Sequence, residues 1–512
     1  TETGRRLWRF HTDGPVRFAA AADAASGSVL FGSDDGYLYC LDAEQGRLRW
    51  KFRGGPDNRK VLGNDRLISM WPVRGAPVVA DQTVYFAAGI WPFMGVFIHA
   101  LDIDSGEVVW TNSATGSNYI VQQHDSPAFA GVAPQGYLTV VRDTLLIAGG
   151  NTVPAALDRA TGAFRYFRPG DRVLGKDPGG FEVIARGDWF VNHGGLYRVA
   201  DGKPLSDLQV RAVNDKLVIA QEKNKLQVHA ASLSSRVVTT KDNKGKQKKV
   251  EKIELRSVST TSLPASVEHI YLMTDDQLVA SDGKKTVLVL DLSNSGGPAK
   301  VPQVSVAWQT SVDAPIWDAI AADDSLFVVD TQGTVSCFAR SNSGDTAPLS
   351  WTERVAASEP PESDTPTPAM AQLLQCTIER DGYAVTQDVG FSFLEQLVEF
   401  TNYHVIAMES RPDRLEVLRA AAADAGWLGS RIAFLPGHIE DQQLPPYMAQ
   451  LIVSQGVADT AGSQAVDVIY RSLRPYGGVA ALACSQRLHT EMITVWDAPP
   501  GEKVEISRQG SW

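Results

Sequence analysis

The chain has 512 residues, with 59 acidic against 48 basic side chains and a formal net charge of −11. That balance repels a polyanion and excludes broad nucleic-acid binding in the absence of a dedicated basic face. No run approaches about 18 consecutive apolar residues, so no membrane-spanning helix is expected, and the length suffices for two or more domains.

The first two-thirds of the chain repeats one phrase: a strand ending in Leu-Asp, a turn carrying Gly, and then an aromatic. It reads Leu41-Asp42…Gly46…Trp50, Leu101-Asp102…Gly106…Trp110 and Leu157-Asp158…Gly162…Tyr166. The chain opens inside one more copy, Thr3-Gly4…Trp8, which marks it as a processed or excised piece of something longer. Self-similarity at this period, in units of small antiparallel sheets, predicts a β-propeller. In the clearest copy, residues 29–42, two alternating strands flank an Asp-Gly turn. Gly46 serves the next turn, where a positive φ is cheap for glycine, and Trp50 lies on the outer strand to cover the gap between blades. Weaker copies follow at 189–203, 217–230, 270–308 and 326–351. That makes about seven repeats, with closure at seven or eight blades left open.

Three long segments, 53–72, 88–96 and 111–136, are expected to emerge at one end of the blades. They carry Arg66, Trp71, Arg74, Trp91, His124 and Asp125. Aromatics with a few convergent polar groups suit a ligand, protein or peptide partner. Alternatively, Trp71 and Trp91 plug the channel top and the arginines pair with nearby carboxylates. Asp34-Asp35-Gly36 and Asp275-Asp276 read as turn chemistry rather than calcium ligands. Cys40, Cys337, Cys376 and Cys484 show no metal-type spacing, and Cys40 and Cys337 on repeat strands read as small buried thiols. No metal ligand or catalytic residue stands out. The lysine-rich run 241–249 reads as a solvated hairpin tip.

A proline-rich stretch at 359–368 lacks periodicity, which places an extended linker over 352–370 between a propeller (1–351) and a second domain (371–497), with a tail at 498–512. In the second domain strands alternate with helices: strands near 383–385, 404–409, 432–435 and 451–453, helices over 393–401 and 411–425. That order predicts a Rossmann-like parallel α/β sheet. The fold class is therefore multidomain, an all-β propeller followed by an α/β domain.

The phrase Gly32-Ser33-Asp34-Asp35-Gly36-Tyr37-Leu38-Tyr39-Cys40-Leu41-Asp42 resembles the repeat of pyrroloquinoline-quinone (PQQ) propellers, over residues 1–351. That family spans quinoprotein alcohol dehydrogenases, which use PQQ with calcium and carry an adjacent cysteine pair, and non-catalytic outer-membrane assembly propellers. The resemblance implies an extracytoplasmic location (periplasm or cell envelope). No adjacent cysteines occur here.

Residues 372–497 resemble a class I S-adenosylmethionine-dependent methyltransferase, with the best local match at Leu473-Arg474-Pro475-Tyr476-Gly477-Gly478-Val479. By that resemblance Glu409 stands where the family holds the ribose hydroxyls. The family's glycine-rich loop becomes Gln387-Asp388-Val389-Gly390-Phe391-Ser392-Phe393, with Asp388 and Ser392 in place of two glycines. His438 replaces the acid that holds the adenine amino group. Asp388, Gly390, Ser392, Glu409 and His438 thus mark a vestigial cofactor pocket. The expectation is a non-catalytic binding or scaffold protein with no cofactor. The alternatives are an active S-adenosylmethionine-dependent methyltransferase whose propeller recruits its substrate, and a quinoprotein dehydrogenase using PQQ.

Overall fold

The structure, a computed structural model, describes residues 6–483 except 64, 118, 122–126, 130, 151, 169–178, 207, 223–224, 242–246, 263–266, 293–303, 323, 340–364, 378 and 456–461. Its contacts divide the chain into two compact units, Thr1–Leu138 with Ser350–Trp512, and Thr139–Leu349.

Each Leu-Asp phrase closes the third strand of a four-stranded antiparallel meander. In the first unit one sheet runs Ala21–Asp23, Ser28–Gly32, Tyr37–Asp42, Leu48–Arg53. The next runs Val78–Ala80, Thr83–Ala88, Phe97–Asp102, Val108–Asn112. The middle strands are buried on both faces: Leu30, Leu38 and Cys40 share one core with Val84, Phe86 and Leu101 of the second sheet. The second unit repeats the pattern in sheets over 138–168, 183–206, 210–262 and 269–311, and in a three-stranded sheet over 316–339. This mostly β architecture is consistent with propeller-like blades.

The glycine of the phrase has a second duty. Gly46, Gly106 and Gly202 all have positive φ, and each lies under the aromatic of the preceding repeat. A Cβ on Gly46 would come within 2.4 Å of the Trp8 ring, on Gly106 within 2.9 Å of Trp50, and on Gly202 within 2.7 Å of Tyr166. The ring's polar atom then bonds the carbonyl three residues before that glycine: Trp8 Nε1 to Ala43 O at 3.0 Å, Trp50 Nε1 to Ile103 O at 3.0 Å, Tyr166 Oη to Val199 O at 2.8 Å. The aspartate of the phrase holds the turn, since Asp42, Asp102 and Asp158 each accept two backbone N–H groups through Oδ1. Cys40 is buried as expected, but Cys337 is exposed, because its strand Val335–Ala339 is the last of a three-stranded sheet. The strands Lys225–Lys241 and Gln247–Ser262 pair out to Lys241 and Gln247, and the middle of the lysine-rich run lies outside the described residues.

The second domain forms a parallel sheet of Asp381–Gln387, Asn402–Glu409, Ile432–Pro436, Ala449–Ser454 and Val479–Leu482. Its spatial order is third, second, first, fourth, fifth. Helices α1 (Pro368–Cys376), α2 (Phe391–Phe400), α3 (Pro412–Asp424) and α4 (Gly462–Ser472) accompany it. Thr367 caps α1 and Pro368 takes its first turn, so the end of the proline-rich stretch is a helix start rather than linker.

One expectation is corrected here. An extended linker was expected to separate residues 1–351 from 371–497, yet segment 53–72 folds into a hairpin, Lys60–Gly63 and Arg66–Ser69, that packs on the α/β sheet. Leu67 is buried in one cluster with Val385, Ile406, Met408 and Leu435. Lys60 N donates to Gln443 O at 3.2 Å, and the buried Arg419 of α3 pairs with Asp13. The reason is physical: a parallel sheet is apolar on both faces and needs cover on each.

Candidate functional site

In an open parallel sheet the ligand crevice lies at the carboxyl ends of the strands where the order reverses, here between the first and fourth strands. Of the positions marked from sequence, Asp388, Glu409 and His438 stand at the carboxyl ends of the first three strands, and Asp388 meets the loops after the second and third. Gln387 ends the first strand, is buried, and accepts from Ile439 N at 2.8 Å, tying that strand to the loop after the third. Asp388 has φ 54, a left-handed backbone for a non-glycine residue. Its Oδ1 accepts from Ser410 N at 3.1 Å and Ser410 Oγ at 3.0 Å, and His438 Nδ1 stands 3.8 Å from Oδ2. The carboxylate therefore turns toward the loops after strands two and three.

Gly390 caps α2 with φ −78, an ordinary conformation, and a Cβ there would meet nothing within 4 Å. Ser392 lies in the first turn of α2 with its side chain exposed. Glu409 is 2% exposed and its Oε1 accepts from Arg411 N at 3.0 Å. Its Oε2 is buried without an aligned hydrogen bond among the described residues, although Arg414 Nη1 is 3.1 Å away.

Arg414, a residue the sequence reading missed, organises this corner. From α3 its Nη2 donates to Val389 O at 2.8 Å and its Nη1 to Asp388 O at 3.4 Å, while the same guanidinium faces Glu409. A cation in the first turn of a helix opposes the helix dipole, and that misplacement was the available signal that its charge serves a partner elsewhere. Chemically the corner is a carboxylate and an arginine holding a loop.

The propeller-loop residues are not brought together in the same way. Trp71 is buried, its Nε1 donates to Met94 O at 2.8 Å, and the Arg59 guanidinium stacks 4.9 Å from its ring. Arg74 donates to the buried Asp34 from Nε at 3.1 Å and Nη2 at 2.8 Å, and Arg17 Nε reaches the same carboxylate at 2.6 Å. Arg66 lines a cavity of about 280 Å³ with Phe10, Asp13, Tyr383 and Phe434. Trp91 is half-buried ahead of the short turn Pro92–Met94. His124 and Asp125 lie outside the described residues. Arg74 is thus paired with a carboxylate, and Trp71 is a hydrogen-bonded core residue packed between the first two sheets.

Asp34-Asp35 does form a turn, but both side chains are buried, which turn chemistry alone does not require. Asp35 accepts from Asp13 N at 3.1 Å, Tyr37 N at 2.9 Å and Tyr39 Oη at 2.6 Å. Burial, and then the nearby charge of Asp13, push its carboxyl up to about 6. Burial likewise lowers the affinity of Lys60 for its proton.

Residues 1–169 match the family described as outer membrane protein assembly factor BamB. Over 118 residues, 21% of this chain, it is 32% identical to the dehydrogenase subunit of the quinone alcohol dehydrogenase of Gluconacetobacter polyoxogenes, and equally to that of Komagataeibacter europaeus. The match spans 15% of the length of those subunits. Among solved structures, BamB from Moraxella catarrhalis is similar at TM-score 0.39 and 14% identity, over 65% of this chain and 87% of that one. A quinohemoprotein alcohol dehydrogenase from Pseudomonas putida HK5 is similar at TM-score 0.33 and 11% identity, over 59% and 60%. The N-terminal third is thus a PQQ-like, BamB-type repeat region, related to quinoprotein dehydrogenases.

Proposed function

We propose that this chain is a non-catalytic, extracytoplasmic binding or scaffold protein. Its PQQ-like blades present loops to a protein or peptide partner, and its α/β domain is a methyltransferase-like module that has lost its cofactor. The matched family is described as an assembly factor of the outer membrane, which supports both the location and a role in protein interaction.

The observation that carries the second part is the Arg414 fork. A class I methyltransferase pocket needs bare backbone at the first loop, a free acid for the ribose, and an acid for adenine. Here Arg414 occupies the loop carbonyls and faces Glu409. Asp388 places a carboxylate at the first loop, and His438 offers an imidazole where two acceptor oxygens are wanted. The residues present do not fit S-adenosylmethionine. Titration calorimetry of the intact chain with S-adenosylmethionine should show no binding up to the millimolar range. Micromolar affinity would overturn this reading and put the active methyltransferase first.

The quinoprotein dehydrogenase reading draws on the identity to the two dehydrogenase subunits. It is weakened by the cysteines, which stand far apart at positions 40, 337, 376 and 484.

A further inference from the structure

We propose that a recess at the amino edge of the parallel sheet, opposite the crevice described above, binds a neutral polyhydroxylated ring of the saccharide class. Glu379 precedes the first strand, Tyr447 and Gln450 flank the start of the fourth, and Arg474-Pro475-Tyr476-Gly477 closes the rim of a cavity of about 420 Å³. That volume falls in the range of small-molecule sites.

Three features mark it as built for a ligand. Gln450 is 5% exposed, and its Nε2 donates to Glu379 Oε2 at 2.6 Å, which fixes the amide orientation. Its Oε1 is left buried with no partner among the described residues. An unpaired buried acceptor is unfavourable, and a ligand hydroxyl would satisfy it only after the side chains covering it move aside. Tyr447 and Tyr476 are 64% and 94% exposed and both hold left-handed backbone, φ 59 and 62, which bulky residues seldom adopt. The turn beneath Tyr476 is fixed by Arg474 N to Ala449 O at 2.8 Å and Gly478 N to Arg474 O at 3.0 Å.

The ligand class follows from the charges. Arg474 Nη1 donates to Glu379 Oε2 at 3.1 Å, so one cation and one anion share the recess. A cationic ligand would meet Arg474 and an anionic one would meet Glu379. A hydroxyl both donates and accepts, and so suits Gln450, Glu379 and Arg474 together. The tyrosine rings offer faces for the C–H side of a sugar ring.

The test is titration calorimetry of the intact chain with glucose, N-acetylglucosamine and cellobiose, with choline and acetate as charged comparators. At least one sugar should bind in the millimolar range or tighter. Tyr476→Ala should weaken it by about tenfold, and Gln450→Met by about threefold to tenfold. If Gln450→Met does not fold, Tyr476→Ala still decides the matter, because that ring is almost wholly in solvent. No sugar binding, binding unaffected by Tyr476→Ala, or preference for choline or acetate would each overturn the proposal.

Discussion

Two residues carry physical roles that their motif understates. Gly106 combines a positive φ with a Cβ position 2.9 Å from the Trp50 ring, so an added methyl group both strains the backbone and lifts the indole from its place. Gly106→Ala should cost about 2–4 kcal/mol in denaturant unfolding, from the backbone and overpacking contributions together. Gly390→Ala, at an open N-cap, should cost less than about 1 kcal/mol. Equal midpoint shifts would refute the docking role of the phrase glycine. Asp35 gives a pH signature. Its folded value of about 6 lies above the ordinary 3.8, so the folded chain holds this proton more tightly than the unfolded chain. The group's stabilising contribution is complete below about pH 4 and is lost as pH rises through about 6, a change on the order of 3 kcal/mol. Unfolding free energies of wild type and Asp35→Asn, measured from pH 4 to pH 7, should diverge across that window. A constant difference would mean that Asp35 is not buried beside Asp13. Turn formation at Asp34-Asp35 was legible in the hairpin pattern. Burial was not, because it is imposed by Asp13, Arg17 and Arg74, whose approach is a matter of tertiary packing.

Among the elements, α3 joins the fold to the crevice. Alternating strands and helices were readable from period and length, and Asp388, Glu409 and His438 do stand at the carboxyl ends of neighbouring strands. Arg414 was readable only as a cation set unfavourably in a first turn; its partner was not, because only the folded sheet brings Val389 O within 2.8 Å. Arg414→Met removes the nearer cation of the buried Glu409 carboxylate and leaves it facing the exposed Arg411, 3.8 Å away. The guanidinium is partly exposed, so the loss is about 1–3 kcal/mol rather than the larger cost of a fully buried pair. Combining it with Glu409→Gln should recover part of that loss, because no charge is then stranded. Urea unfolding of the four members of the cycle measures the coupling. Strict additivity would show that the two side chains do not interact and would remove the main argument against a cofactor in this corner.

At the scale of the whole molecule, cooperative units follow contacts rather than chain order. The proline-rich stretch reads as a boundary because composition reports local order. A hairpin two hundred and more residues upstream leaves no mark on composition when it inserts a single leucine. Leu67 sits among Val385, Ile406, Met408 and Leu435, and Arg419 is buried against Asp13. Residues 1–138 should therefore unfold together with 365–483, apart from 139–349, as the two compact units imply. Native-state hydrogen exchange tests this directly. The buried strands Thr83–Ala88 and Asn402–Glu409 should open with the same free energy and the same denaturant dependence. Leu67→Ala should lower both together by about 2–5 kcal/mol, the cost of emptying a buried leucine site. If that substitution lowers only the α/β strand and leaves Thr83–Ala88 unchanged, the two parts fold as separate domains and the proline-rich stretch is the true boundary.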